Sequence, residues 1–176
     1  MKLIHRVRKE IGDNFIVGIR ISGDEHTEGG LTIKETSEIA FRLAKAGLDY
    51  VHLSSGSYEA LPYLFPDREG TMIADAAAIK RAVDVTVICP NIHDPVLANR
   101  IIQSGKADMV SLGRSLLCDP EWPLKGQQGR NETIRKCIFC YYCVKSLRSG
   151  WGVKCSVNRM VGRERFDPSC YPRFTS

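Results

Sequence analysis

No run of about eighteen apolar residues occurs in this 176-residue chain, so the sequence offers no membrane-spanning helix. The opening residues, Met1-Lys-Leu-Ile-His-Arg-Val-Arg-Lys-Glu10, lack the apolar core of a signal peptide, and a cytoplasmic protein is expected. Neither Gly-x-Gly-x-x-Gly nor Gly-x-x-x-x-Gly-Lys-Ser/Thr is present, which excludes a dinucleotide fingerprint and a P-loop within these residues. The net charge of +5 is mild, and its basic residues crowd the last third, from Arg130 to Arg173. Nucleic-acid binding is one reading of that crowding; a basic collar that offsets a negative thiolate centre is the other. No stacking-aromatic or groove-helix pattern accompanies the charge, so the collar is preferred and no nucleic-acid partner is expected. With 43% hydrophobic and 26% charged residues, the composition is that of a globular domain with a core.

What is present is cysteine. Cys137, Cys140, Cys143 and Cys155 follow the spacing Cys-x2-Cys-x2-Cys-x11-Cys, four of the chain's seven cysteines within nineteen positions. Two successive Cys-x2-Cys steps on a turn let three thiolates converge, and a short loop returns a fourth. That geometry suits an iron–sulfur cluster or a four-thiolate zinc site. Buried structural cysteines are the bland alternative, but core packing gives no reason for such clustering. Without an export signal, metal binding is expected ahead of a disulfide framework. Cys89, Cys118 and Cys170 fall outside the spacing and read as ordinary cysteines.

Ahead of the cysteines, strand and helix patterns alternate in units of about thirty residues. Lys2 to Ile11 reads as helical turns stopped by Gly12, and Phe15 to Ser22 as a buried strand. Thr32-Ile-Lys-Glu35 has capping-box form and opens a helix that Gly47 ends. Further strands are expected over Asp49–Ser54, Val85–Cys89 and Ala107–Leu112, with helices around Ile73–Val83 and from Pro95, capped by Asp94. From Glu121 the alternation breaks, and a linker is expected up to Gly129. Asp49-Tyr-Val-His-Leu echoes Asp108-Met-Val-Ser-Leu, a repetition that suits a (β/α) barrel. Four strands make half of an eight-stranded TIM barrel and leave two open edges, so either the chain is a fragment or two copies close the ring. The expected division is a partial barrel over 1–125 and a mostly irregular, cysteine-rich segment over 126–176.

In such barrels chemistry lies at the C-terminal ends of the strands. Those ends bring Arg20, then Ser54 to Glu59 with Tyr58, then Cys89-Pro90-Asn91, then Gly113-Arg114. The last two loops are where a phosphate is commonly held: Gly113 permits close backbone approach, and Arg114 offers a fork of donors. A surface ion pair is the alternative for Arg114, and a buried pair with a carboxylate such as Asp49 is the alternative for Arg20.

These residues carry a resemblance. Gly18-Ile-Arg-Ile-Ser22, Asp49-Tyr-Val-His-Leu-Ser-Ser-Gly56, Asn91-Ile-His-Asp-Pro95 and Asp108-Met-Val-Ser-Leu-Gly-Arg114 to Asp119-Pro120 resemble the old yellow enzyme family. The cysteine segment, with Cys155-Ser-Val-Asn158 and Gly162-Arg-Glu164, resembles its iron–sulfur branch, which contains 2,4-dienoyl-CoA reductase, 2-enoate reductase and trimethylamine dehydrogenase. The resemblance implies an FMN-binding partial barrel. In it Arg20 lies against the pyrimidine side of the flavin, while backbone at Asn91, with Gly113 and Arg114, holds the phosphate. It implies a [4Fe–4S] cluster on Cys137, Cys140, Cys143 and Cys155, and FAD and NAD(P)H sites beyond this chain. Tyr58 falls where the dienoyl-CoA reductase pattern has a histidine near the substrate; it is a candidate proton donor or simply a loop aromatic. The implied reaction reduces an activated alkene in an unsaturated acid, thioester or ketone, a hydride reaching the β-carbon and a proton the α-carbon.

The sequence departs from the family in three places. The x2 step from Cys140 to Cys143 is that of the amine dehydrogenases, not the x3 of dienoyl-CoA reductase, so spacing does not choose the substrate. Pro90 replaces a common glycine and removes one N–H donor. The His-x-x-His-Gly-Tyr region of the first barrel half is not in this sequence, and the chain by itself is expected to be inactive. Amine oxidation through the same cluster, and a zinc-stabilised, non-catalytic α/β module, are the alternative functions.

Overall fold

A period of two along Tyr50-Val-His-Leu-Ser54 sends Val51 and Leu53 to one face, where both are fully buried, and Tyr50, His52 and Ser54 to the other. Thr86-Val-Ile-Cys89 divides in the same way, with Val87 and Cys89 buried. The computed structural model describes residues 1–164 and joins such segments into a four-stranded, all-parallel sheet in the order β1-β2-β3-β4. The elements are α1 (Lys2–Ile11), β1 (Gly18–Ser22), α2 (Ile33–Lys45), β2 (Tyr50–Ser54), α3 (Leu61–Leu64), α4 (Ile73–Ala82), β3 (Thr86–Cys89), α5 (Pro95–Gln103) and β4 (Met109–Val110). Then come α6 (Arg114–Cys118), α7 (Trp122–Gln127), a single 3₁₀ turn (Asn131–Thr133) and α8 (Tyr142–Arg148). Cys170 lies outside the described residues. No helix among the described residues is long and apolar enough to cross a membrane.

Two compact units divide the chain: residues 1–92 with 96–111, and residues 93–95 with those from Leu112 onward. In the first unit α2 packs on α4, and Ala40, Leu43, Ala76 and Ile79 bury their side chains together with Val51, Leu53 and Val87. The capping box at Thr32 and Glu35 forms as the sequence predicts. Gly18 is required by close approach: a Cβ there would stand 2.0 Å from the Tyr50 ring, its partner in register.

Three sequence expectations are corrected in the first unit. Phe15 and Ile16 precede the strand and are 64% and 81% exposed, not buried in it. An ion pair fixes that approach: Arg8 binds Asp49 and donates to the Phe15 carbonyl (2.6 Å), while Val17 N donates to Asp49 Oδ2 (2.6 Å). Asp49 is thus the partner of Arg8, not of Arg20. The expected fourth strand is reduced to two residues, although ladder bonds run from Asp108 N to Val87 O (3.0 Å) and from Ser111 N to Cys89 O (2.9 Å).

Beyond Glu121, the expected linker begins instead with helix α7. Pro123 is tolerated in its first turn, where no intrahelical N–H bond is lost. Trp122 anchors it: the side chain is buried and Nε1 donates to the His93 carbonyl at 2.7 Å.

Candidate functional site

The polar face of the sheet gathers the first candidates. Arg20 lies in register with His52, and His52 Nε2 is 2.9 Å from Ser111 Oγ. Burial, and then the Arg20 guanidinium, hold the His52 pKa below its ordinary value, so the imidazole is neutral near pH 7. Arg20 is therefore the cationic member of that group, fixed on a strand while its side chain is exposed.

Loops after β1 and β2 enclose a cavity of about 330 Å3 lined by His26, Ser55, Tyr63, Arg68, Thr71 and Asp75, among others. Its volume is that of a small-molecule pocket. His26 stacks on Tyr63 with ring centroids 3.7 Å apart. Its Nδ1 is 3.4 Å from Asp24 Oδ1, and its Nε2 is 3.2 Å from Ser55 Oγ. Burial, reinforced by the charge of Asp24, raises the Asp75 carboxyl pKa. Tyr58, on the same loop as Ser55, is 83% exposed and is not among the lining residues.

Asn91 belongs to the first unit and adopts the left-handed conformation (φ 60°). Its amide Nδ2 donates to the Arg68 carbonyl (2.8 Å) and to Thr71 Oγ1 (3.0 Å). Gly113 and Arg114 belong to the second unit. At Gly113 φ is −111°, and a Cβ would meet nothing within 4 Å, so neither backbone nor neighbours in the protein demand glycine there. Arg114 Cζ lies 4.9 Å from the Phe139 ring centroid and 5.8 Å from that of Tyr141, a cation–π arrangement inside the cysteine segment.

Cys137, Cys140, Cys143 and Cys155 line one cavity. The backbone is bent to make it. Phe139 and Tyr141 both take left-handed φ values, 53° and 57°, which non-glycine residues adopt rarely and at a cost. The backbone N–H groups of Phe139, Tyr142 and Val144 act to lower the pKa values of Cys137, Cys140 and Cys143 respectively. Asn158 N donates to Cys155 Sγ at 3.4 Å. Cys140 Sγ is 3.3 Å from Ser156 Oγ, and that hydroxyl leads the backbone N–H groups in lowering its pKa.

The Cys137 pKa is lowered, first by its hydrogen bond with Cys118 and further by Phe139 N–H and the Arg114 charge. The Cys143 pKa is raised, chiefly by burial. No three His, Cys, Asp or Glu side chains among the described residues are arranged to hold one metal ion. The four thiols do share a cavity, the donor set that an iron–sulfur cluster would use.

Sequence reasoning missed Cys118. Read there as an ordinary cysteine, it lines the same cavity, with Sγ 3.6 Å from Cys155 Sγ. Nothing in its spacing to the other cysteines signals this, because α6 delivers it from 37 residues away. His26 was also missed; its one signal was its place in the polar loop at the end of β1.

A family model described as the NADH:flavin oxidoreductase / NADH oxidase family matches residues 1–133. An NADH oxidase of Thermoanaerobacter brockii is 39% identical over 93% of this chain and 26% of its own length. An N,N-dimethylglycine/sarcosine dehydrogenase of Chromohalobacter salexigens is 33% identical over 93% of this chain and 25% of its own. The chain thus spans about a quarter of the length of these curated relatives. Among solved structures, a 2-naphthoyl-CoA reductase complex matches with a TM-score of 0.87 and 27% identity, over 96% of this chain and 26% of that one. That likeness identifies the four parallel βα units as part of a (β/α)8 barrel. The chain belongs to the NADH:flavin oxidoreductase / NADH oxidase family.

Proposed function

We propose that this chain supplies part of the FMN site and the four-cysteine [4Fe–4S] site of an NAD(P)H-dependent oxidoreductase that reduces activated carbon–carbon double bonds. The observation that carries the reading is the cavity shared by Cys137, Cys140, Cys143 and Cys155, with backbone N–H groups aimed at sulfur, in a chain of this family. Bound FMN would supply two-electron chemistry, and the cluster single-electron transfer. Arg20, from the first unit, would offset negative charge on the bound flavin. Backbone at Asn91, and in the second unit Gly113 and Arg114, are assigned to its phosphate.

The 330 Å3 cavity of the first unit supports a small-molecule substrate: an unsaturated acid, thioester or ketone. Tyr58 is assigned the proton given to the substrate carbon. FAD and NAD(P)H are assigned to parts of the enzyme outside this chain, and the chain alone is proposed to be inactive. The missing half of the barrel comes from the rest of the enzyme or from a second copy. Similarity to an N,N-dimethylglycine/sarcosine dehydrogenase supports a second reading, amine oxidation with electrons leaving through the same cluster.

The test is anaerobic purification followed by assay of iron, acid-labile sulfide, zinc and flavin. About four irons and four sulfides per chain are expected, lost in Cys140→Ser. One zinc without sulfide would overturn the oxidoreductase reading of the cysteine segment and favour a zinc-stabilised module.

A further inference from the structure

Five cysteines, not four, line the cavity, and the fifth comes from a different part of the chain. Cys118 closes α6; it is 2% exposed, and its sulfur stands 3.6 Å from that of Cys155. The contact is held by a clamp. Asn158, itself buried, donates its backbone N–H to Cys155 Sγ (3.4 Å) and its side-chain Nδ2 to the carbonyl of Leu117 (2.9 Å), the residue before Cys118. One residue, through its backbone N–H and its side chain, thus ties the turn carrying Cys155 to the helix end carrying Cys118. Ser115 and His93 steady the start of that helix through a 2.8 Å contact, Oγ to Nδ1.

We propose that Cys118 is a positioning residue whose thiol donates a hydrogen bond to the sulfur of Cys155 and raises the reduction potential of the cluster. The inference rests on the cluster reading above. Its physics is that of any donor to a ligating sulfur: the cluster gains negative charge on reduction, and a nearby S–H disperses part of it. A thiol has a proton to give, whereas a bound thiolate has only lone pairs. With four cysteines already at ligand spacing, Cys118 is left to act beside the ligands, against Cys155 and also against Cys137. No bond is made or broken, and the effect is on the equilibrium of the one-electron couple.

The experiment compares the parent chain with Cys118→Ala and Cys118→Ser after anaerobic purification, assaying iron and sulfide and following a redox titration by electron paramagnetic resonance. Cys118→Ala is expected to keep four irons and four sulfides while its midpoint falls. The ratio of reduced to oxidised cluster at fixed potential should drop about fivefold, equivalent to about 40 mV for a one-electron couple. Cys118→Ser, which retains a hydroxyl donor, should recover part of that shift. An unchanged midpoint in Cys118→Ala overturns the proposal, and so does loss of iron from both variants, which would make Cys118 a ligand. A parent chain without iron and sulfide overturns the cluster reading, and this inference with it.

Discussion

The two units are built on different physics. In the first, the interior is mainly hydrocarbon: Val51, Leu53, Val87, Ala40, Ala76 and Ile79 exclude water completely, and only Thr36 and Ser55 are buried polar residues among those described. In the second, helices of five to seven residues are too short to stand on their own propensity, and the interior includes Asp119, Ser115, Ser146 and Asn158. Apolar burial is non-directional and tolerates imprecise placement, whereas a buried polar group needs each partner at a defined distance. A scaffold of the first kind can hold loops of many sequences. A unit of the second kind is committed to its particular side chains.

Asp119 is where that difference is greatest. It is 0% exposed and accepts hydrogen bonds from Lys125 Nζ (2.7 Å), Arg135 N (3.0 Å) and Glu121 N (3.1 Å). Burial alone would raise its pKa, but Lys125 and the two backbone donors outweigh burial and leave the pKa below the ordinary carboxylate value. Asp119→Ala strands Lys125 and two peptide donors, and is expected to cost the second unit about 3–5 kcal/mol. Trp122 and Trp151, the chain's two tryptophans, both belong to that unit, so denaturation followed by tryptophan fluorescence reads it directly. The folded pKa is depressed, so this stabilisation is complete above the unfolded value, near pH 4, and is lost as pH falls through the folded one. An Asp119→Ala chain that kept the parent's tryptophan transition and its acid sensitivity would break the contrast.

On the apolar side, Leu53→Ala removes a fully buried side chain from the sheet face against the helices. The expected cost is about 2–5 kcal/mol, depending on how far α2 and α4 relax into the space. Far-UV circular dichroism, to which the long helices of the first unit contribute most, follows it. Unlike the Asp119 variant, this one should keep the parent's sensitivity to pH, because no titratable group is removed or loses a partner. A cost below about 1 kcal/mol would mean that the interior of the first unit is looser than its burial implies.

How much of this was legible in the sequence follows the same line. The period of two in Tyr50–Ser54 and the capping box at Thr32 are local, so the strand and the helix start could be read directly. The spacing of Cys137, Cys140 and Cys143 is local too, and all three line one cavity. Phe15 and Ile16 misled because their apolar character says strand, while an ion pair between Arg8 and Asp49, 41 residues apart, decides where the ladder begins. Cys118 was missed for the same reason: its meaning depends on Asn158 binding the Leu117 carbonyl across 41 residues. Trp122 looked like a linker residue because its partner is the His93 carbonyl, and a backbone acceptor leaves no mark in a sequence.

The smallest effect tests the most local feature. At the start of α2, Thr32 Oγ1 accepts from Glu35 N (3.5 Å), and Glu35 Oε2 accepts from Thr32 N (2.9 Å) and Thr32 Oγ1 (2.7 Å). The backbone N–H and hydroxyl of Thr32 hold the Glu35 carboxyl below its usual pKa. Thr32→Ala removes the cap while leaving the apolar face of α2 untouched, and should destabilise the first unit by about 1 kcal/mol. Thr32→Ser keeps the oxygen and should cost much less. Both residues are exposed, so no cavity complicates the comparison, and the tryptophan signal of the second unit provides the internal control. Equal losses from Ala and Ser would show that the methyl group of Thr32, not its hydroxyl, stabilises the helix start, and the local reading of that motif would fail.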